Sequence, residues 1–386
     1  MKKRLSVGKR LAVMGTVLAV TGTFWGGQSV LAATNTEGTG LGVAIGQGSA
    51  ASVANAVAVG QNASAPGGSA TAVGSGSQAT GGFATAIGNS AAATDTYATA
   101  LGYKATSAGS SVSIGSESKS NQIGGVALGA GASTTATNTQ TMRMAVAIGY
   151  SAAASNAKAI ALGAQSVASG NEGVALGGSA TASGNLAVAA GGGAKATGYK
   201  AISLGNLANA SAESATAFGY QSKAQSKNSI AIGETATAGT TATNTTMAIA
   251  VGYKATATNN EAIAIGQSAT VSGNKGVAVG GGSSVTGNLS AALGANSAVS
   301  VMNGTAVGNG ANVSLANSVA LGSGSVAESR TSFNTAAYLS GESFKATQGV
   351  VSVGSSTNTR RIVNVAGGYD DTDAVNVAQL KAAVSR

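Results

Sequence analysis

Several residue types are absent from this chain or nearly so. Of its 386 residues none is Cys, none is His and only one is Pro, while 9% are charged and 4% are aromatic. Without Cys or His there can be no disulfide framework, no thiolate or imidazole metal site, and no Ser–His or Cys–His nucleophile. A single Pro excludes collagen, and an apolar content of 44% argues against a simple disordered tail.

Glycine, in contrast, is abundant and regularly placed. The chain has 59 Gly, and 20 of them recur between Gly46 and Gly322 at a step of 14 residues, apart from one step of 13, one of 20 and one of 19. A longer period of 103 residues separates Gly46, Gly149 and Gly252. Self-similarity at a fixed step is typical of a repeat architecture, and the longer period indicates duplication of blocks of about seven units.

The residues around each repeat glycine follow one pattern. The residue one place before it is apolar, and two places before it stands Ala in 18 units and Ser in two. The residue three places before it is Val, Ile or Thr in all but one unit, so the alternation has period two and predicts a strand. Small residues three and five places after the glycine predict a second, thinner strand. A further Gly often stands seven places after it, and two such corners let the chain fold back twice.

This pattern predicts an all-β fold, a parallel β-solenoid or β-roll of about 20 coils with 14 residues in each. At a strand spacing of ~4.8 Å the rod would be roughly 95 Å long. We expect the two aliphatic residues before each glycine to face into the coil and the Ala between them to face outward. The core is then thin, and we infer that other copies of the chain add burial by packing closely on the outward Ala. The alternative is that these Ala serve only solubility.

The N-terminal residues have the layout of a secretory signal. Five basic residues lie within residues 1–10, a mostly apolar run follows, and small residues close the segment at Ala32 and Ala33. A membrane anchor is the alternative, although Gly and Thr interrupt a run that is short for a span. Removal of residues 1–33 lowers the net charge from +9 to +4, and the remaining basic residues are scattered, so we expect no nucleic-acid partner.

The two long steps contain similar inserts rich in Thr and Asn. They lie within residues 133–144 and 240–247 and should project from the rod as polar loops. They are either ligand contacts or tolerated insertions. As contacts we single out Thr135, Asn138, Thr139, Thr243, Asn244 and Thr245.

The pattern of the chain changes again near its C-terminus. Val377, Leu380 and Val384 are spaced by three and four residues, which is the spacing of a coiled coil. We predict that Thr372 or Asp373 caps this helix.

Here the sequence resembles a known family. The units NAVAVG (55–60), NSIAIG (228–233) and NSVALG (317–322) resemble the head repeat of the YadA-like trimeric autotransporter adhesins. The segment TRRIVNVAGGYDDTDAVNVAQL (359–380) resembles their neck. The resemblance implies a left-handed β-roll in each chain, three chains side by side as a homotrimer, and a neck that leads them into a coiled-coil stalk. The neck positions through which the resemblance implies contacts between subunits are Arg360, Arg361, Asp373, Asn376, Gln379 and Leu380.

The resemblance also organises the chain into domains. We expect a signal peptide (1–33), head repeats (34–330), an irregular cap (331–348), a neck (349–380) and the start of the stalk (381–386). Export by the signal would place the protein at the cell surface or outer membrane. Because no anchor follows the neck here, we expect membrane contact only through an anchor that this chain does not contain.

The leading functional hypothesis is an adhesin head whose repeated surface binds a host matrix protein or cell surface. Besides the inserts, candidate contacts are outward residues just after repeat glycines, notably Tyr150, Tyr253 and Lys254, with Tyr103, Lys104 and Tyr220 at equivalent places. An ordinary solvated rim is the alternative role for these side chains. A passive structural spacer or surface-layer rod without a ligand is the alternative for the whole chain.

Other classes of function have less support in the sequence. The acids outside the neck are isolated, so we expect no enzyme, and we expect no cofactor or metal. A calcium-binding solenoid needs Asp in every turn, whereas the repeats from Gly46 to Gly322 contain one Asp. An ice-binding face would need Thr on every coil, and Thr stands three places before the glycine in only five units.

Overall fold

The computed structural model of this protein describes residues 42–134, 144–241, 246–328, 348–370 and 372–385. These residues form an all-β solenoid of two parallel sheets, which confirms the predicted fold class. The predicted signal peptide and most of the predicted cap lie outside the described residues. Among the described residues, no helix has both the length and the hydropathy needed to cross a bilayer.

The first sheet consists of the three residues that precede each repeat glycine, followed by one short strand from the C-terminal segment. Neighbouring strands pair in parallel and shifted by one unit, for example Ala147 with Ala161. The strands are Val43–Ile45, Val57–Val59, Thr71–Val73, Thr85–Ile87, Thr99–Leu101, Val112–Ile114, Val126–Leu128, Val146–Ile148, Ile160–Leu162, Val174–Leu176, Val188–Ala190, Ile202–Leu204, Thr216–Phe218, Ile230–Ile232, Ile249–Val251, Ile263–Ile265, Val277–Val279, Ala291–Leu293, Thr305–Val307, Val319–Leu321 and Val351–Ser352.

The second sheet lies on the other side of each coil and has two-residue strands, four and five places after the repeat glycine. It too is paired in parallel from unit to unit, and isolated bridges at Ala50 and Ser64 extend it into the first two units. The strands are Gln78–Ala79, Ala92–Ala93, Thr106–Ser107, Lys119–Ser120, Ser133–Thr134, Ala153–Ala154, Val167–Ala168, Thr181–Ala182, Lys195–Ala196, Asn209–Ala210, Lys223–Ala224, Thr237–Ala238, Thr256–Ala257, Thr270–Val271, Ser284–Val285, Ala298–Val299, Asn312–Val313 and Val326–Ala327.

The predicted orientation of the first-sheet residues is wrong. Ala161 is 0% exposed, whereas Ile160 and Leu162 on either side are 36% and 41% exposed. The small residue therefore faces inward and the aliphatic residues face outward. The reason is the width of the coil, since two sheets joined by tight turns leave room mainly for small side chains such as those of Ala and Ser. Four small side chains fill each coil, as Ala159, Ala161, Ser166 and Ala168 do.

The interior volume is conserved where larger residues enter the core. In four successive units, from Val271 to Val313, Val replaces Ala five places after the repeat glycine and is fully buried. The facing position, four places before the next glycine, then shrinks to Gly or Ser. A Cβ added to Gly276 would lie 2.8 Å from a Val271 methyl and 2.9 Å from a Val285 methyl, so this glycine makes room for the valines.

Each repeat glycine is required by the contact between successive coils. Gly163 has a φ of +132°, and a Cβ there would lie 2.6 Å from the carbonyl carbon and oxygen of Gly177 in the next coil. The same glycine begins a β-turn, closed by the Ser166 amide donating to the Gly163 carbonyl at 3.2 Å with Gln165 at φ 58°. A side chain here would therefore push two coils apart and strain the turn.

The C-terminal segment first adds one more strand to the rod. Val351–Ser352 pairs with Val319 and Ala320, so the last repeat strand keeps a neighbour.

The C-terminal helix spans Val377–Val384 and therefore begins inside the segment assigned to the neck. Its N-cap is Asn376, which corrects the prediction of Thr372 or Asp373. Asn376 has the extended backbone of a cap, and with Gln379 it completes a reciprocal capping box.

A substitution at a repeat glycine tests this packing. We expect Gly163→Ala to lower stability by about 3 kcal/mol, because it combines an unfavourable φ with a backbone clash. The matched control is Gly178→Ala in the following turn, where an added Cβ would come no closer than 3.8 Å to the Ala164 carbonyl oxygen. Urea denaturation followed by circular dichroism measures both, and equal midpoints would contradict the assigned packing.

Candidate functional site

The outside of the first sheet forms one continuous apolar surface, which we call the apolar face. It consists of the residues one and three places before every repeat glycine, such as Ile160, Leu162, Val174 and Leu176. Its members are half-buried or exposed in all units. A monomeric soluble protein seldom leaves so long an apolar surface uncovered, so this face is suited to contact with another protein surface.

The outside of the second sheet is polar, and we call it the polar face. Its residues, four and six places after the glycine, are mostly Ser, Thr, Ala, Asn and Lys; examples are Thr256 and Thr258 in one unit and Thr270 and Ser272 in the next. Lys195 and Lys223 stand on this face two units apart, on either side of Asn209. Such a polar surface is well hydrated, so it can remain exposed to solvent without contact to another protein.

The two turns of each coil form two edges along the rod. The first edge holds the residues one and two places after the repeat glycine, and it contains the predicted contacts Tyr150, Tyr253 and Lys254. Tyr150 is 62% exposed, and the Lys254 ammonium lies 4.9 Å from the centre of the Tyr253 ring. The structure thus places these side chains at the surface, and their role as ligand contacts stays a prediction.

The tyrosine–lysine arrangement at Tyr253 recurs elsewhere on the rod. Lys104 lies 5.0 Å from the Tyr103 ring centre at the first edge, and Lys200 lies 5.0 Å from that of Tyr199 at the other edge. Tyr103 raises the pKa of Lys104, chiefly through a side-chain hydrogen bond. In all three pairs the lysine has a positive φ, so one local turn geometry brings the ammonium over the preceding ring.

The second edge holds the residues eight and nine places after the glycine. The six candidate insert residues, Thr135 to Thr139 and Thr243 to Thr245, lie outside the described residues. The described residues that flank the inserts lie at the second edge, because both sheets keep their register: Val126 pairs with Val146 and Ser133 with Ala153, and in the other case Ile230 pairs with Ile249 and Thr237 with Thr256. Both inserts therefore start from the same side of the rod.

Charged residues of the second edge form ion pairs between neighbouring coils. Lys158 and Glu172 approach to 3.0 Å, Lys227 and Glu213 to 2.9 Å, and Lys275 and Glu261 to 3.7 Å. All are well exposed, so they contribute little to stability. In the described part of the chain, no three His, Cys, Asp or Glu side chains come close enough to hold a metal ion.

Large apolar residues also stand at the second edge, and sequence reasoning missed them. Phe83 and Tyr97, one unit apart, are 58% and 64% exposed and stack with ring centres 5.3 Å apart and planes 11° apart. Met144, Leu186 and Leu289 occupy the equivalent place in other units. The sequence carries a signal for them, since all five precede a repeat glycine by five places.

Stability does not explain the stacked aromatic pair. Phe83 and Tyr97 have φ values of 58° and 64°, in the left-handed region. That region costs a non-glycine residue about 1–2 kcal/mol, whereas a stacked aromatic pair contributes about 0.5–1.5 kcal/mol beyond its burial. Stacking thus does not offset this backbone conformation, which the turn imposes on non-Gly residues in other units as well, among them Ser69, Ser110 and Leu186.

The predicted neck residue Arg360 closes the open end of the rod. Its guanidinium donates to the Ser325 hydroxyl at 2.9 Å, to the Val353 carbonyl at 2.6 Å and to the Ser323 carbonyl. It also lies over Gly322, where the glycine of a further coil would stand. Arg360 therefore replaces backbone donors of a missing coil. These bonds lie within one chain, and a contact between subunits stays a prediction for Arg360 and for the exposed Arg361.

The other neck residues fold the segment before the helix back on itself. The Gln379 side chain accepts from the Gly368 amide and donates to the Gly368 carbonyl, both at 2.9 Å, while the Asn376 amide group donates to the Val365 carbonyl. Asp373 accepts from the amides of Tyr369 and Asp370, which lower the pKa of its carboxyl group. Leu380 is 57% exposed on the helix.

The family described as "YadA head domain repeat" matches more than half of the chain, and "Coiled stalk of trimeric autotransporter adhesin" matches residues 361–386. The head-repeat matches are 41–63, 65–91, 79–105, 142–166, 168–194, 182–208, 196–222, 210–236, 224–241, 246–269 and 302–325.

Individual relatives are more distant or cover little sequence. "Trimeric autotransporter adhesin AtaA" of Acinetobacter sp. (strain Tol 5) is 64% identical over 44 residues, which are 11% of this chain and 1% of that protein. The C-terminal YadA-like domain of BPSL2063 from Burkholderia pseudomallei is 27% identical over 28% of this chain and 49% of that one, with a TM-score of 0.20. The collagen-binding domain of Yersinia adhesin YadA is 20% identical over 80% and 87%, with a TM-score of 0.19. At these TM-scores the two structures add no weight to the family matches.

Arg360 offers a test of the capped end. In Arg360→Lys a single ammonium cannot reach all three acceptors, and each charge-assisted bond contributes about 1.5–3 kcal/mol. We expect amide exchange of Val326, which donates to Gly354 at the last rung, to accelerate about tenfold or more. Arg361→Lys, which changes an exposed neighbour, is the control. Unchanged exchange in Arg360→Lys would mean that Arg360 does not hold the end of the rod.

Asp373 gives the neck a defined pH dependence. Because its folded pKa is lowered, its contribution is complete above the unfolded value of about 3.9 and is lost as the pH falls through the lower folded value. We expect its carboxyl group, followed by NMR, to titrate below the same group in an unstructured peptide of residues 366–376. We also expect Asp373→Asn to weaken protection of the Tyr369 and Asp370 amides at neutral pH. A midpoint equal to that of the peptide would refute the arrangement.

Proposed function

This chain belongs to the family of YadA-like trimeric autotransporter adhesins, and on that premise we propose that it forms the head and neck of a homotrimeric rod that binds host matrix or cells. Family membership implies export and a location at the cell surface or outer membrane. Residues 1–33 are the segment we propose as the export signal. The observation that carries the proposal is a surface in which one face carries an apolar residue in every unit while the remaining sides repeat a small set of exposed polar and aromatic contacts.

The apolar face is the surface we propose for contact with the two further copies. Its aliphatic side chains are repeated in every unit and lie outside the coil, where water would otherwise contact them. Burial of apolar area is the main favourable term in protein association, and a face of this length offers it along the whole rod. In this proposal the aliphatic residues form the contact between chains. The sequence pattern had assigned that contact to the Ala between them, which the structure shows to be buried inside the coil.

Adhesion is proposed for the sides that such a trimer leaves to solvent. The first edge presents Tyr150 and the Tyr253–Lys254 pair, and the second edge is the origin of both inserts. Each contact of this kind is small, but three chains repeat it along the rod. Linked weak contacts raise the overall affinity well above that of one contact, because every later binding event is intramolecular.

Trimerisation and adhesion can be tested with one pair of variants. Leu162→Lys with Leu176→Lys places two charges on the apolar face, whereas Val167→Lys with Thr181→Lys places two on the polar face of the same units. We expect the first variant to be monomeric and the second trimeric in sedimentation equilibrium. Circular dichroism should show retained β-structure in both, since all four side chains point away from the core.

The wild-type protein and the two variants are then compared for binding to host surfaces. We expect the trimer to bind at least one surface among collagen, fibronectin, laminin and cultured host cells, and the monomeric variant to bind it about 100-fold more weakly because avidity is lost. A trimer in the apolar-face variant would refute the proposed interface. A wild-type trimer that binds none of these surfaces would instead support the passive-spacer alternative.

A further inference from the structure

We propose that the Phe83–Tyr97 pair at the second edge is a carbohydrate-binding platform for a neutral sugar. The inference names one ligand class for the adhesive role proposed above and rests on that role. It concerns residues that lie outside the apolar face and outside the contacts suggested by the sequence. Two independent observations carry it, namely the exposure of the stacked rings and the composition of the surface around them.

The first observation is that the rings are held in place without being buried. Both are more than half exposed, yet they stack nearly in parallel on adjacent coils. Their backbones are fixed by the coil ladder: the Phe83 amide donates to the Gly68 carbonyl at 2.8 Å and the Tyr97 amide to the Gly82 carbonyl at 2.9 Å. Two rings on a rigid scaffold form a preorganised apolar surface, which lowers the entropic cost of binding.

The second observation is the open surface beside the rings. Gly68 and Gly82 precede Ser69 and Phe83 on the second edge, and a Cβ added to Gly68 would meet nothing within 4 Å. In the flanking units the ring position is held by the small residues Ser69 and Ser110. The outer faces of both rings therefore border space that no large side chain fills, and a flat ligand can reach them.

The polar groups around this space suit hydroxyl groups. The Asp95 carboxylate accepts from the Gly109 amide at 2.6 Å through one oxygen, and the Ser110 hydroxyl donates to the Thr96 carbonyl at 2.8 Å. These bonds fix both side chains and leave them lone pairs for further donors. No Lys or Arg stands at the second edge from Ala54 to Gly124 within the described residues. The site therefore has no cation for an anionic sugar.

A pyranose combines the two properties that this surface requires. One side of its ring carries polarised C–H groups, which the electron-rich face of an aromatic ring attracts, and its rim carries hydroxyl groups. An apolar peptide anchor, in contrast, needs a closed pocket that excludes water, and a convex edge supplies none. The geometry therefore favours a sugar over an apolar peptide.

The test uses the positive φ values to separate binding from stability. Phe83→Gly with Tyr97→Gly removes both rings and also relieves the backbone strain, so we expect a melting temperature equal to or above that of the unaltered protein. The matched control is Leu186→Gly with Leu289→Gly, which removes two exposed apolar side chains from the same turn position at φ 59° and 55°. The protein is the chain from residue 34 onward, which contains every described coil.

Binding is measured by native affinity electrophoresis in gels containing amylose, laminarin or galactomannan. We expect at least one polysaccharide to retard the unaltered protein and the leucine control equally, and the glycine double variant to bind at least tenfold more weakly. Phe83→Tyr with Tyr97→Phe should keep binding. Equal retardation of the glycine double variant would overturn the proposal, and so would equal loss in the leucine control.

The outcome also separates this proposal from the adhesive role. If none of the three polysaccharides retards the unaltered protein while it still binds matrix proteins or cells, the platform is refuted and the adhesive role stands. If it binds neither polysaccharides nor matrix proteins nor cells, both proposals fail.

Discussion

The structure depends on one contact, the approach of each repeat glycine to the carbonyl of the next. Parallel pairing sets the coils one strand spacing apart, and at this corner no Cβ fits between them: one added to Gly163 would lie 2.6 Å from the Gly177 carbonyl. The contact holds at a step of 14 residues and also across both longer steps, since a Cβ added to Gly129 would lie 2.5 Å from the Gly149 carbonyl oxygen and one added to Gly233 would lie 2.5 Å from that of Gly252. The number of residues between two repeat glycines therefore varies between the second strand of one coil and the first strand of the next, since both sheets keep their register across the longer steps.

This contact explains why the core is thin and why the surface carries aliphatic side chains. A coil closed by two tight turns has room mainly for Ala, Ser and Gly inside, and Val enters the core where Gly276 and Gly304 make space. Aliphatic side chains must then stand outside. A chain whose larger apolar residues are excluded from its own core lowers its free energy by associating with other chains, because association removes apolar surface from water. Trimerisation, which is typical of the family, is consistent with this.

The end of the rod follows from the same constraint. A last coil would leave carbonyls without donors and an uncovered glycine corner. The neck strand Val351–Ser352 supplies one further rung, and the Arg360 guanidinium lies over Gly322 and binds the Ser323 carbonyl. A long cationic side chain with several donors can thus replace the backbone of a missing coil, which a lysine could do only in part.

The sequence was enough to predict the repeat, the number of coils, the two strands and two corners of each coil, and the C-terminal helix. These features follow from local rules: period-two alternation, glycine at positive φ, and the spacing of apolar residues. Which side of the first strand faces inward depends on the packing of whole coils, because alternation marks two faces without saying which one the coil is wide enough to enclose. The tertiary structure also decided that Asn376 rather than Thr372 or Asp373 caps the helix, and that Phe83 and Tyr97, 14 residues apart, stack. Those outcomes depend on the space between coils and on contacts across units, which no single unit of the sequence contains.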